Sequence, residues 1–171
     1  MLADCAGPSH RPLMVEFLST FRFRPLPVGA AEDDHPPEIQ FRLFGEQRQF
    51  SLRAWAMILA WYWERDVVSP IYTTAIHSMP DDALYAWWPT IGSAQFGTPK
   101  VRQVRAREIR DPLHRYLHRC ITYSIAARAK SNEWVTKTDL FYLYCLITGT
   151  PCALHRCVAE LYSSAARRYY Y

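Results

Sequence analysis

The chain has 171 residues, half of them apolar, with a formal net charge of +4; this is enough for one domain with a sizeable core and excludes a disordered chain. The charge is unevenly placed. Residues 1–99 carry 7 Arg against 11 acids, whereas residues 100–171 carry 13 Lys and Arg against 5 acids, so the basic field, which attracts polyanions or acidic protein surfaces, belongs to the second segment.

Residues 1–37 are rich in proline, with Pro8, Pro12, Pro25, Pro27, Pro36 and Pro37 and an acidic cluster at Glu32, Asp33 and Asp34. They read as a mostly irregular arm in which one apolar patch, 13–23, can dock as a short helix or strand. The start of the chain lacks an apolar run behind a basic segment, so no secretory signal is expected. Residues 39–44 alternate Ile39, Phe41 and Leu43 with Gln40 and Arg42, the period of a strand. Gly45 offers a turn, and Gln49 and Phe50 a short return strand that must lean on a helix, because two strands alone are marginal.

Ser51 is placed to cap a helix over 52–64 whose inner stripe is Leu52, Trp55, Ala56, Leu59 and Trp63. A connection over 66–80 follows, then a short helix capped by Asp81 and stopped near Pro89 and Gly92. The stretch 93–104 reads as loop or short strand. Asp111 followed by Pro112 is a strong helix start, since proline at the first helical position gives up no needed N–H. At about 100° per residue, Leu113, Tyr116, Leu117, Cys120, Ile121, Ser124 and Ala127 form one face of a helix of about eighteen residues, and Arg115, His118, Arg119 and Thr122 the other.

Thr136-Lys137-Thr138-Asp139 resembles a capping box with Asp as the acid, opening a helix that closes on Gly149 and leaves little polar surface, so it is expected at the centre. Thr150-Pro151 starts a last helix over 152–167 with Leu154, Cys157, Val158 and Leu161 inside. The expected fold is mainly α, a compact helical bundle with a small N-terminal β-hairpin. It comprises one domain over 38–168, entered by a strand-turn-helix at 38–66 and completed by a three-helix unit at 108–168. The apolar runs at 54–63 and 140–154 are shorter than the roughly 17 to 25 residues of a membrane span, so no membrane partner is expected. Five cysteines, an odd number, fit a reducing intracellular compartment, nucleus or cytoplasm left open, with Cys120 and Cys145 packing as small hydrophobes.

The motifs Ile109-Arg110-Asp111-Pro112, Arg115-Tyr116-Leu117-His118-Arg119, Thr138-Asp139-Leu140-Phe141 and Leu143-Tyr144-Cys145-Leu146 ahead of Gly149 together look like a known pattern. They resemble the C-terminal region of the Athila open-reading-frame-one proteins of plant retrotransposons, and 41–52 looks like that family's strand-turn-helix entrance. The resemblance spans roughly 39–165 and is strongest after 108. It implies a gypsy-type long-terminal-repeat origin in a plant genome and a non-enzymatic element protein of undefined role, here a fragment or stand-alone remnant, since no zinc knuckle, protease or polymerase motif is present.

Among the chemistry-bearing residues, His114 and His118 stand at the i, i+4 spacing of zinc ligands, with Cys152 and Cys157 as the remaining pair. Arg115 and Arg119 oppose a cation there, so no metal and no cofactor is assigned. Cys120 with His118, or Cys157 with His155, would be a thiolate-base pair, but positions two apart on a helix point away from each other. No nucleophile elbow, phosphate loop or His-Glu-x2-His is found, and no catalytic residue is assigned. The arginines Arg102, Arg105, Arg107, Arg115 and Arg119 form the candidate nucleic-acid site, since guanidinium forks suit phosphate oxygens. Lys100 and Arg110 belong to the same tract, with Arg110 read as a structural partner of Asp111 or of a helix end. The bland reading is a solvated basic face. Trp55 and Trp63 are assigned to the core, while Trp61, Tyr62, Trp87 or Trp88 are candidates for an exposed patch. Candidate partners are thus nucleic acid, retroelement proteins or a second copy of the chain, the alternatives being a self-assembly module or an enzyme with an unrecognised site.

Overall fold

The computed structural model describes residues 11–25, 38–96, 103–126 and 128–168. These residues are mostly α-helical, with seven α-helices, a three-stranded antiparallel sheet and a two-stranded one. The chain divides into two compact units, one made of residues up to 69 together with those from 154 on, the other of 70–153.

The first unit is built on a hairpin. Strands β2 (Ile39–Leu43) and β3 (Glu46–Phe50) pair antiparallel with Ile39 opposite Phe50 and Leu43 opposite Glu46. Their two-residue turn has Phe44 at φ 56° and Gly45 at φ 76°, the left-handed pair that matches the twist of a tight hairpin. On the other edge of β2 lies β1 (Arg22–Phe23), preceded by α1 (Arg11–Thr20). Residues 11–23 thus dock as a short helix followed by a short strand, as their apolar patch allows; residues 1–10 and 26–37 of the arm lie outside the described residues. Pro12 sits in the first turn of α1, where its missing N–H costs nothing. Glu16 Oε1 accepts the Gly45 N–H at 2.8 Å and Thr20 Oγ1 the Arg42 N–H at 2.8 Å, tying α1 to the hairpin.

Ser51 caps α2 (Leu52–Ile58) as expected, its Oγ accepting from Ala54 N at 3.1 Å, while the buried Glu38 takes the Leu52 N–H at 2.9 Å. The helix is half as long as the 52–64 pattern suggests. Ala60 turns left-handed at φ 55°, and Asp66 Oδ2 accepts the Trp63 N–H at 2.9 Å, giving that backbone a partner outside a helix. Trp63, assigned to the core from its spacing, is consequently 72% exposed. Trp55 is buried as expected, in a core with Phe21, Ile39, Phe41, Ala159 and Ala166. Phe17, Phe21, Phe41, Trp55 and Tyr162 meet there mostly edge to face, with centroids 4.9 to 6.4 Å apart.

Helix α7 (Leu154–Arg168) belongs to this unit, packing on α1, β1 and α2, so the three-helix unit expected over 108–168 is divided. Its buried line is His155, Cys157, Ala159 and Ala166, whereas Leu154, Val158 and Leu161 of the expected stripe are only half-buried. Small alanines let the helix approach the aromatic cluster closely, which the apolar-stripe argument does not register. His155 stands edge-on to Tyr62 at 5.4 Å, and burial, aided by the neighbouring Arg156 charge, lowers its pKa to about 4. Between pH 4 and 6.5 the unfolded chain then binds a proton that the folded chain refuses, so stability falls as pH drops through that window. The unfolding free energy from urea titrations is expected to fall by roughly 2 kcal/mol between about pH 7 and pH 5 from this group; an unchanged pH dependence in His155→Phe would contradict it.

In the second unit, α3 (Pro70–Thr73) interrupts the expected connection. Ile76 bridges Cys152, with Ile76 N donating to Pro151 O at 2.9 Å and Ala153 N to Ile76 O at 2.8 Å, which delays the start of α7 to Leu154. Helix α4 (Asp81–Trp87) has Pro80 rather than Asp81 at its cap; Asp81 is the first helical residue and pairs with Lys137 at 3.0 Å. A 3-10 turn, Trp88–Thr90, follows and buries Trp88, whose Nε1 donates to Ala94 O at 2.6 Å. Gly92 lies under that ring so closely that a Cβ would overlap it. Gly92→Ala is therefore expected to destabilise by about 1–3 kcal/mol, as overpacking does; a thermal melt matching the wild type would refute the contact. Helix α4 packs on α6 (Lys137–Thr148), with Trp87 edge-on to Tyr144 at 5.3 Å. As expected, α6 opens on a capping box, closes on Gly149 at φ 71° and is extensively buried from Asp139 to Leu143.

Candidate nucleic-acid interface

The candidate arginines occupy one stretch of the second unit. Strand β4 (Val104–Arg105) pairs antiparallel with β5 (Trp134–Val135), so Val104 points into the core and Arg105 outward, opposite Trp134. A 3-10 turn, Ala106–Glu108, carries Arg107 into solvent. Ile109 is fully buried, and Arg110 N donates to Ile91 O at 2.9 Å, anchoring the approach to the next helix. Asp111 caps α5 (Pro112–Tyr123) as expected, Oδ1 accepting from Leu113 N at 2.7 Å.

Helix α5 differs from its expected form in length and in face. It stops after twelve residues, where Ser124 Oγ donates to the Cys120 carbonyl at 2.6 Å and Arg128 N to the Thr122 carbonyl at 2.7 Å. Ile121 is buried, and Arg115 and Arg119 are exposed, as expected, but His118 and Thr122 of the face assigned outward are buried too, while Leu113, Tyr116 and Cys120 of the inward face are exposed. The cause is polar. Asp139, at the start of α6, is 0% exposed, and His118 Nε2 lies 3.6 Å from its Oδ2. The same oxygen accepts the Thr136 N–H at 2.7 Å, the Thr136 hydroxyl at 2.8 Å and an Arg128 guanidinium N–H. Burial alone would raise the Asp139 pKa, but His118, the two Thr136 bonds and the Arg128 charge together hold it below the usual carboxylate range. A buried carboxylate demands such partners, and α5 rotates to deliver one.

The arrangement opens a cleft of ≈ 670 Å³ between the strand and turn on one side and α5 on the other. Arg105 and Arg107 line it from the first segment, Arg115 and Arg119 from the helix, and His118 lies between them. Glu133 supplies a carboxylate to the lining and pairs with Arg105 at 3.0 Å; the Arg105 guanidinium also lies 3.9 Å from the Trp134 ring centre. Arg107 meets Glu108 at 3.4 Å. Among the described residues no carboxylate pairs with Arg115 or Arg119.

Four of the five candidate residues, Arg105, Arg107, Arg115 and Arg119, are thus brought together, while Arg102 and Lys100 lie outside the described residues. Arg110 is structural, but its guanidinium donates to the Pro89 carbonyl within the 3-10 turn rather than to Asp111. Sequence reasoning missed Tyr116, which it turned inward, and Glu133; Trp134, one of the tryptophans that invite a stacking role, is brought beside Arg105 by the pairing of 104–105 with 134–135, which carries no local signal. Among the described residues no group of three His, Cys, Asp or Glu side chains is disposed to hold a metal, and no helix is long and apolar enough to cross a membrane. Cys120 is exposed, whereas His118 is buried against Asp139. Trp88, a candidate for exposure, is buried, whereas Trp61 is exposed.

No family model matches the chain, and neither a curated protein nor a solved structure matches it significantly. The likeness to Athila open-reading-frame-one proteins stands on the sequence motifs alone.

Proposed function

We propose that this protein is a non-enzymatic nucleic-acid-binding protein of retroelement origin that holds the phosphate backbone in the Arg105–Arg119 cleft. The observation that carries the binding reading is the convergence of four guanidinium groups from two separate segments on one concave surface, against a single lining carboxylate. Guanidinium groups match phosphate oxygens in charge and planarity. Two of the four, Arg115 and Arg119, have no carboxylate partner among the described residues, so their charge is available to a ligand. Contacts of this kind position a backbone without reading its sequence. The retroelement origin rests on the motif pattern between Ile109 and Gly149.

The test is retention of labelled nucleic acid over a salt series by the wild-type chain and by a variant with Arg107, Arg115 and Arg119 replaced by Glu. Binding that weakens with salt in the wild type and is lost in the variant supports the reading. Equal binding by both removes the cleft as its cause.

A further inference from the structure

Charge alone does not account for the cleft, because an aromatic ring stands among its arginines. Tyr116 lines it from α5, between the neighbours Arg115 and Leu117, and is 64% exposed. Its ring is held in solvent because His118, Ile121 and Thr122 take the inward face of the helix. From the strand side Arg105 also lines the cleft, its flat guanidinium 3.9 Å from the Trp134 ring centre and 3.0 Å from Glu133, with nearly half of its side chain exposed. The lining thus offers two flat groups that stack on π faces, one from each segment, next to the charges of Arg107, Arg115 and Arg119.

Aromatic rings and guanidinium planes are the platforms on which unpaired nucleobases stack. In a duplex both faces of every base are covered by its neighbours, so neither platform could be used. A cleft of ≈ 670 Å³ falls in the range of roughly 300–1,000 Å³ that encloses small ligands. We infer that the cleft takes single-stranded nucleic acid, with an unstacked base against Tyr116 and the flanking phosphates on Arg107, Arg115 and Arg119. This deepens the basic-cleft reading and rests on it. Stacking tolerates any base, since each has a π face.

The inference is tested with the full chain by fluorescence anisotropy on labelled strands of about twelve nucleotides, within the site sizes common for single-strand binders. The probes are oligo-dT, oligo-rU, an abasic strand of equal length and charge, and the matching duplex. The base-bearing strands are expected to bind about tenfold more tightly than the abasic strand and more tightly than the duplex, and the ratio of rU to dT assigns RNA or DNA. Tyr116→Ala should erase the advantage over the abasic strand, and Tyr116→Trp should keep it. Because the ring is exposed, both variants are expected to melt with the wild type. Equal binding of abasic and base-bearing strands, tighter binding of the duplex, or an advantage that survives Tyr116→Ala would overturn the stacking inference. If those outcomes occur while Glu at Arg107, Arg115 and Arg119 still abolishes binding, the basic cleft stands without the base; if Glu there changes nothing, both fall.

Discussion

Asp139→Ala is expected to destabilise the second unit by about 3–5 kcal/mol, the usual consequence of removing one member of a buried ionic cluster, against a typical total of about 5–15 kcal/mol. Three losses coincide. The capping box loses its acid, since Asp139 Oδ2 accepts the Thr136 N–H and hydroxyl. Arg128 loses its carboxylate and is left with the Trp134 and Ser131 carbonyls at 3.2 and 3.4 Å. His118, fully buried and without a hydrogen-bond partner for either ring nitrogen among the described residues, loses the carboxylate beside it and is left near the Arg128 charge that the carboxylate balanced. Urea unfolding followed by tryptophan fluorescence measures the change, and a shift under about 1 kcal/mol would show that the cluster is not what holds α5 to α6. Adding His118→Leu to the Asp139→Ala chain should recover part of the loss, because apolar replacement of a broken polar cluster removes an unpaired group. The sign of the pH effect follows from the lowered pKa. The unfolded carboxyl titrates near 3.8, so the contribution of Asp139 is complete above that value and is lost as pH falls through its lower folded value. Asp139→Asn should abolish that acid-side loss.

The same cluster explains which parts of the fold were legible in the sequence. Most caps and turns were, because their chemistry is local: Ser51, Asp111-Pro112, Thr136 with Asp139, and Gly149 each act on backbone groups within a few residues, whereas the starts expected at Asp81 and Thr150 are displaced. Helix faces were less so. Periodicity placed Ile121 of α5 inward and Arg115 and Arg119 outward, but not the burial of His118, which packs against Asp139 twenty-one positions further along the chain. Helix α7 shows the same limit, since Ala159 and Ala166 earn burial from the aromatic cluster of a distant segment and carry little apolar weight themselves. The candidate arginines were legible as a charge tract. Their convergence was not, because it depends on Arg105 lying opposite Trp134 and on the rotation of α5.

Replacing Arg107, Arg115 and Arg119 together with Glu is expected to lower affinity for nucleic acid about a hundredfold or more at low salt and to flatten its salt dependence. Each phosphate contact releases counterions and contributes about 0.7 to the slope of log K against log salt for a single strand, so three lost contacts remove about 2 from it. These three are the informative choice, since Arg105 is held by Glu133 and Trp134 and its loss would disturb the pairing of β4 with β5. Exposed charges contribute little to folding, so the variant should melt with the wild type and the effect should belong to binding. Replacing the same three with Lys separates charge from shape. Lysine preserves the point charges and hence the slope, while the loss of the planar fork weakens affinity at every salt concentration. A Glu variant whose slope equals that of the wild type would place any binding elsewhere. A Lys variant as weak and as salt-insensitive as the Glu variant would mean that charge at these positions does not govern the slope.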